Sequence, residues 1–347
     1  MTEPLQTVTL YTRKDCHLCE EVKADLAALQ AQYPHQLVEV DIDTDASLKE
    51  RYGNSIPVVE VGPYRRSAPI SRQDLAVTLG AARDRVTQLD KLKDPLYEAR
   101  KNNPRRQEIT RADRITFWLS DNYIWVFNLV IFIYLALPFL APVLMKVGAT
   151  TPANLIYRSY GFVCHQLGYR SWFLFGEQPY YPRELAGLDE VLSFSEASGL
   201  SEGGTNADLF SARSFIGNEQ MGYKVAFCQR DVAIYAALLA FGLLFALTKR
   251  RIPPLPAILW LIIGLGPIGL DGFSQLLSQP PLGDFALFSW LPLRESTPFL
   301  RTLTGAIFGF TTGWFGYPMV EETMQDTRRS LLVKFKRLEK EGVGSME

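Results

Sequence analysis

Two sets of cysteines stand where a thiol can do chemistry. Cys16 and Cys19 form a Cys-x-x-Cys with His17 inside it, between an alternating stretch, Thr7–Tyr11, and a helical one, Glu20–Gln32. Val22, Leu26 and Leu29 share one face of that helix. A cysteine at a helix N-terminus meets unpaired backbone N–H groups and the positive end of the dipole, and both favour the thiolate. A protonated His17 would lower the Cys16 pKa further. The second set is Cys164-His165 and Cys228-Gln229-Arg230-Asp231. Cys228 and Asp231 lie three apart, on one face of the helix they open. Two thiols, an imidazole and a carboxylate are all zinc ligands, whereas Cys164 and Cys228 alone could form a disulfide. Both readings stand. Adjacent side chains on a straight helix point about 100° apart, so Cys164 and His165 can share an ion only where the chain turns.

A third set is polar without being thiol. Asp271 lies sixteen residues past Leu255 in an apolar run, roughly 24 Å along a helix, and Gln275 is one turn farther. Arg301 enters the next run from the same side, near Arg294 and Glu295. Polar side chains inside spans are costly and face the bundle interior. Asp231, Asp271, Gln275 and Arg301 therefore read as one layer, with Asp271 and Arg301 as an ion pair that is structural or gated.

The elements that position these residues follow from hydropathy and charge. The chain has 347 residues and a formal charge of −1, which gives no argument for a nucleic-acid partner. Four cysteines make no disulfide scaffold, and no signal peptide opens the chain, so the first part is expected in the cytoplasm. Strand, Cys-x-x-Cys helix, strand Leu37–Ile42, helix Ala46–Tyr52 and a strand led by Pro57 give the order of a thioredoxin-type α/β domain over residues 1–82. A charged juxtamembrane linker follows over residues 83–121, with a stripe of Val86, Leu89, Leu92 and Leu96 and a break at Lys101-Asn102-Asn103-Pro104. Four apolar spans are expected: Tyr123–Lys146, Asp231–Thr248, Leu255–Leu276 and Pro298–Val320. The membrane domain, residues 122–320, reads as all-α, with a basic tail over 321–347. Basic clusters at Arg105, Arg106, Arg111 and Arg114, at Lys249-Arg250-Arg251, and at Arg328, Arg329, Lys334, Lys336 and Arg337 fall on one side only with four spans and both termini cytoplasmic. The long loop 147–230 then lies outside. Within it Leu155–Phe175 reads as an interfacial or re-entrant helix, and Arg170–Gln178 is nearly repeated at Arg213–Gln220. Gly305, Gly309 and Gly313 allow close helix contact in the fourth span, and Gly264, Gly266 and Pro267 predict a bend in the third.

Two resemblances add to this reading. YTRKDCHLC and SIPVV, within roughly residues 5–82, are similar to the glutaredoxin-like branch of the thioredoxin superfamily. That resemblance implies Cys16 as nucleophile, Cys19 as resolving thiol and Pro57 as a cis-proline facing them. Cys-His-Leu-Cys departs from the usual Cys-Pro-Tyr-Cys, and no Gly-Gly turn follows Pro57, which argues against glutathione as partner. Cys164-His165-Gln166, Arg170–Gln178, Cys228–Asp231, Asp271-Gly272-Phe273-Ser274-Gln275 and Arg294-Glu295-Ser296 resemble an uncharacterised family of predicted bacterial and archaeal membrane proteins. Asp231 stands where that pattern has a second cysteine, and retains ligand character. The expected protein is a multi-pass cell-membrane thiol–disulfide redox protein, with an unknown cytoplasmic thiol or disulfide partner and a separate outer Cys/His/Asp site. Zinc is the expected ion there, and neither haem nor flavin is expected. The alternative is a transporter or scaffold whose redox domain senses.

Overall fold

The computed structural model describes residues 5–93, 95–101, 108–202, 205–280, 282–288 and 290–342. Arg105 and Arg106, the Asn-Asn-Pro break before them and the last five residues of the tail lie outside the described residues, as does the Leu96 side chain. The chain divides into two compact units, Met1–Asp121 with Thr323–Glu347, and Asn122–Glu322.

In the first unit β1 (Gln6–Thr12) runs parallel to β2 (His35–Asp41) and antiparallel to β3 (Val58–Val61), which pairs with β4 (Tyr64–Ser67). The sheet order is β2-β1-β3-β4. Between β1 and β2 runs α1 (His17–Leu29), and α2 (Ala46–Tyr52) precedes β3. The face read from spacing is the one that packs. Val22, Leu26 and Leu29 join Val8, Leu10, Val59 and Val61 in one core, closed by Leu75 and Leu79 of α3 (Arg72–Leu92). Ser71 and Asp74 form a capping box that starts α3. The first part of the expected linker is therefore the end of α3, and its stripe stands open to solvent at Val86 and Leu92. Then come α4 (Pro95–Lys101) and α5 (Arg111–Lys146), the latter opened by reciprocal Thr110–Asp113 hydrogen bonds. The expected tail is the end of a 43-residue helix. Its Leu332 and Val333 pack on the Tyr11, Val38 and Val40 cluster, and Arg329 Nη1 donates to the Tyr52 hydroxyl at 2.8 Å.

The second unit begins within α5 and continues through α6 (Thr150–Tyr160), β5 (Ser171–Leu174), the short α7 (Phe194–Ser198), α8 (Asn206–Ser214), β6 (Gly217–Asn218) and β7 (Gly222–Cys228). After these come α9 (Gln229–Leu247), α10 (Ala257–Leu259), a π-helical turn at Trp260–Leu265, α11 (Gly266–Ser278) and α12 (Pro298–Lys340). Two expectations are corrected here. The unit is not all-α, because β5, β7 and β6 form a three-stranded antiparallel sheet. Nor is Leu155–Phe175 one helix. It ends at Tyr160, turns, and becomes β5, where the alternation of Ser171 and Phe173 inward against Trp172 and Leu174 suits a strand. The two near-repeated segments supply β5 and β6, the strands flanking β7.

Among the described residues three helices are long and apolar enough to cross a membrane: Arg111–Lys146, Gln229–Leu247 and Ala257–Ser278. The expected fourth span lies in α12 but falls short of that measure, because glycines and threonines dilute its apolar residues. Those glycines pack instead. A Cβ on Gly309 would overlap the Ile234 carbonyl oxygen, and one on Gly305 would lie 2.7 Å from that of Arg230, so α9 and α12 touch backbone to backbone. The bend expected in the third span is the π turn. Pro267 has no N–H to give, and the Gly266 N–H reaches back five residues to Leu261.

Candidate functional site

Cys16 and Cys19 are joined by a disulfide at the first turn of α1. Cys16 is the N-cap residue in extended conformation, and its carbonyl accepts from the Cys19 and Glu20 N–H groups at 3.0 and 3.2 Å. The two sulfurs are not equivalent. Cys16 is partly exposed while Cys19 is fully buried, so an incoming thiol meets Cys16 first. The Ile56–Pro57 bond is cis. His17 is exposed, with Nδ1 3.3 Å from Glu21 of the same helix.

In the second unit Cys164, Cys228 and Asp231 converge, their ligand atoms all within 4.8 Å of one another. Cys228 is the N-cap of α9: its Sγ accepts from the Asp231 N–H at 3.4 Å and donates to Asp231 Oδ2 at 3.1 Å. Both cysteines are free thiols. The neighbouring Cys228 sulfur, burial and the Asp231 charge all push the Cys164 thiol up. Around them Tyr160 lies edge-on to Phe227, and Phe227 stacks on Tyr235. His165 is the correction. The chain does turn there, with φ +52 at Gln166, but the turn sends His165 into the open while Cys164 goes inward. Gln166 braces the site, donating from Nε2 to the Tyr157 carbonyl at 2.9 Å.

Lys224 was not singled out by sequence, where it is one charge within the long loop 147–230. Here it is 1% exposed, with Nζ donating to the Gln166 and Arg213 carbonyls at 2.8 and 2.6 Å. Burial lowers its pKa to about 7, against the attraction of Cys164. An unfolded lysine titrates near 10.4, so between about pH 7 and 10 the unfolded chain holds the extra proton. Stability should rise with pH across that window and be flat below it. Thermal unfolding of the detergent-solubilised chain should show a midpoint climbing from pH 7 to 9. The climb should shrink in Lys224→Met, and equal slopes in the two proteins would contradict the assignment.

The polar layer forms, but with other partners than expected. Arg301 does not pair with Asp271; it donates to Glu295, to Gln275 Oε1 at 3.0 Å and to the Ser296 carbonyl at 3.0 Å. Asp271 instead accepts from Arg230, from Arg294 Nη2 at 2.8 Å and from Ser296 Oγ at 2.7 Å. Glu295 also holds Arg170 in a two-pronged pair at 2.9 and 3.1 Å, and Arg183 at 3.4 Å. The reason is geometric. Ser171 is the register partner of Cys228, so Arg170 arrives beside the start of α9 on the sheet edge. Arg170, Arg183 and Arg230 were not placed in this layer from sequence; Arg230 alone stands inside a cysteine-bearing motif, and Arg183 carries no local signal.

Residues 7–80 match the family described as "Glutaredoxin-like domain (DUF836)", and residues 211–315 match "Predicted membrane protein (DUF2085)". The chain is 25% identical over 210 residues to "Uncharacterized protein MJ1492" of Methanocaldococcus jannaschii, covering 59% of this chain and 96% of that one. A solved structure, "Northeast Structural Genomics target protein XcR50 from X. campestris", is 37% identical over 21% of this chain and 96% of its own, with a TM-score of 0.19. With the Cys16–Cys19 pair at the head of α1 and the apolar helices beyond it, the chain is a fusion of a glutaredoxin-like domain with a domain of that predicted membrane-protein family.

Proposed function

We propose that this chain is a membrane-anchored thiol–disulfide redox protein whose dithiol, Cys16 and Cys19, faces the cytoplasm. The observation that carries the reading is the unequal exposure of two bonded sulfurs at a helix N-terminus. The Cys16 thiolate attacks a partner disulfide, and the partner's second sulfur leaves as thiolate. Cys19 then attacks the Cys16 sulfur and releases the partner as a dithiol. Two electrons pass to the partner, and the reverse sequence oxidises it. The Pro57 loop and His17 position the partner and the charge at Cys16.

The membrane domain holds the dithiol at the lipid bilayer. Counting the first half of α12 as a fourth span returns both termini to one side, with Arg111, Arg114, Lys249, Arg250 and Arg251 on it. The Cys164–Cys228–Asp231 cluster then lies on the outer side. Its two thiols and one carboxylate suit zinc, whose donors in a tetrahedral shell stand roughly 3.7 Å apart and leave a fourth position for water. Two observations support this over a disulfide: the unbonded sulfurs and the converging Asp231 carboxylate. Thiol counting and elemental analysis of the intact chain test both sites together. We expect two thiols to appear on mild reduction, and about one zinc per chain that is lost in Cys228→Ser. Absence of a reducible pair overturns the redox reading, and a metal-free Cys164–Cys228 disulfide overturns the zinc site.

A further inference from the structure

The buried layer around Asp271 and Glu295 carries more positive charge than the protein neutralises. Arg170, Arg183 and Arg301 converge on Glu295, and Arg230 and Arg294 converge on Asp271. A third carboxylate, Glu202, reaches Arg183 at 3.9 Å. Asp208 also acts on Arg183, so among the described residues these groups leave one positive charge without a counter-charge. Asp271 and Glu295 are 5% and 6% exposed, and Arg301 is 4% exposed, so bulk water screens the centre of the layer poorly. Uncompensated charge is costly in such a place.

Donors are in excess as well. Gln275 is 5% exposed, and its orientation is fixed because Oε1 must accept from Arg301. Its Nε2 is then a buried donor with no acceptor among the described residues, and Arg230 Nε is another. Asp271 and Gln275 stand four apart on α11, so both face the same way one turn apart. Water could satisfy a donor but not the charge. An oxyanion satisfies both, and guanidinium groups bind planar or tetrahedral oxyanions with paired hydrogen bonds.

We infer that this layer is a binding site for a phosphate-bearing anion, held by Arg230, Arg301 and the Gln275 amide. The shared chemistry admits two sources, a dissolved phosphate or the headgroup of an anionic lipid. The inference is independent of the redox reading, since it uses none of the cysteines.

The test uses the full chain in phosphate-free detergent. Inorganic phosphate and a short-chain phosphatidylglycerol are titrated separately, with chloride at matched ionic strength as control, and the unfolding midpoint is followed. Saturable stabilisation by phosphate assigns a dissolved ligand, and saturable stabilisation by phosphatidylglycerol alone assigns a lipid. Either should be weakened by about tenfold or more in Arg230→Gln, the loss expected for one charge-assisted hydrogen bond. Gln275→Glu supplies a carboxylate in place of the orphan donor. It should raise the midpoint without ligand and abolish the response to ligand. No saturable stabilisation by either compound would overturn the site, whatever the midpoint of Gln275→Glu.

Discussion

Cys19→Ser should accumulate a stable mixed disulfide between Cys16 and its partner, while Cys16→Ser should lose thiol–disulfide exchange altogether. The expectation follows from access. Cys16 is partly exposed at the N-terminus of α1, where backbone N–H groups stabilise its thiolate, and Cys19 is buried against the core below it. Loss of the nucleophile should slow exchange on the order of 10³-fold or more, as removal of an attacking group does in other covalent mechanisms. Cys19→Ser should retain the first step and fail at the second, because no neighbouring thiol remains to release the adduct. Peptide mapping after exposure to a peptide disulfide separates the variants: an adduct on Cys16 in Cys19→Ser and none on Cys19 in Cys16→Ser. Equal adducts in both would remove the assignment of roles.

The second large effect is expected at Glu295. The residue is 6% exposed, and its carboxylate takes hydrogen bonds from Arg170, Arg183, Arg301 and Gln279. Burial alone would raise its pKa, but Arg170 and Arg301 outweigh burial and hold it below the usual carboxylate range. Its contribution is therefore complete above the unfolded value, near 4.3, and is lost as pH falls through the lower folded one. Glu295→Ala leaves three guanidinium groups facing one another in a poorly hydrated place. A loss of about 3–5 kcal/mol is expected, the usual result of removing one partner from a buried ionic cluster. Unfolding in denaturant, compared with Glu295→Asp, measures it. A change below about 1 kcal/mol, the scale of an exposed ion pair, would show that the cluster is hydrated.

How much of this was legible in the sequence depended on the range of each interaction. The Cys16–Cys19 helix, its apolar face at Val22, Leu26 and Leu29, and the three apolar helices are local patterns with fixed periods, and these were read correctly. Cys228 and Asp231 met for the same reason, being three residues apart at a helix start. The partners of Glu295 lie 125 and 112 residues away at Arg170 and Arg183, and no periodicity reaches so far. Asp271 and Arg301 agree in depth along their helices, but depth does not fix rotation, and each turned to other partners. His165 failed for a backbone reason, since the positive φ at Gln166 is not announced by its neighbours. The β5–β7–β6 sheet was hidden because an aromatic, half-polar stretch suits an interfacial helix as well as a strand.

The widened turn at Trp260–Leu265 has one more effect. A π turn winds more slowly than an α turn, and over six residues the lag amounts to roughly one residue, about 100° of rotation. Everything downstream on that helix is thus offset in azimuth from where an uninterrupted α-helix starting at Ala257 would place it. Asp271 and Gln275 point inward because of that offset, and Leu270 and Phe273 point outward for the same reason. The turn acts as a phase shifter, letting a helix that begins in one angular setting deliver its acid and amide in another.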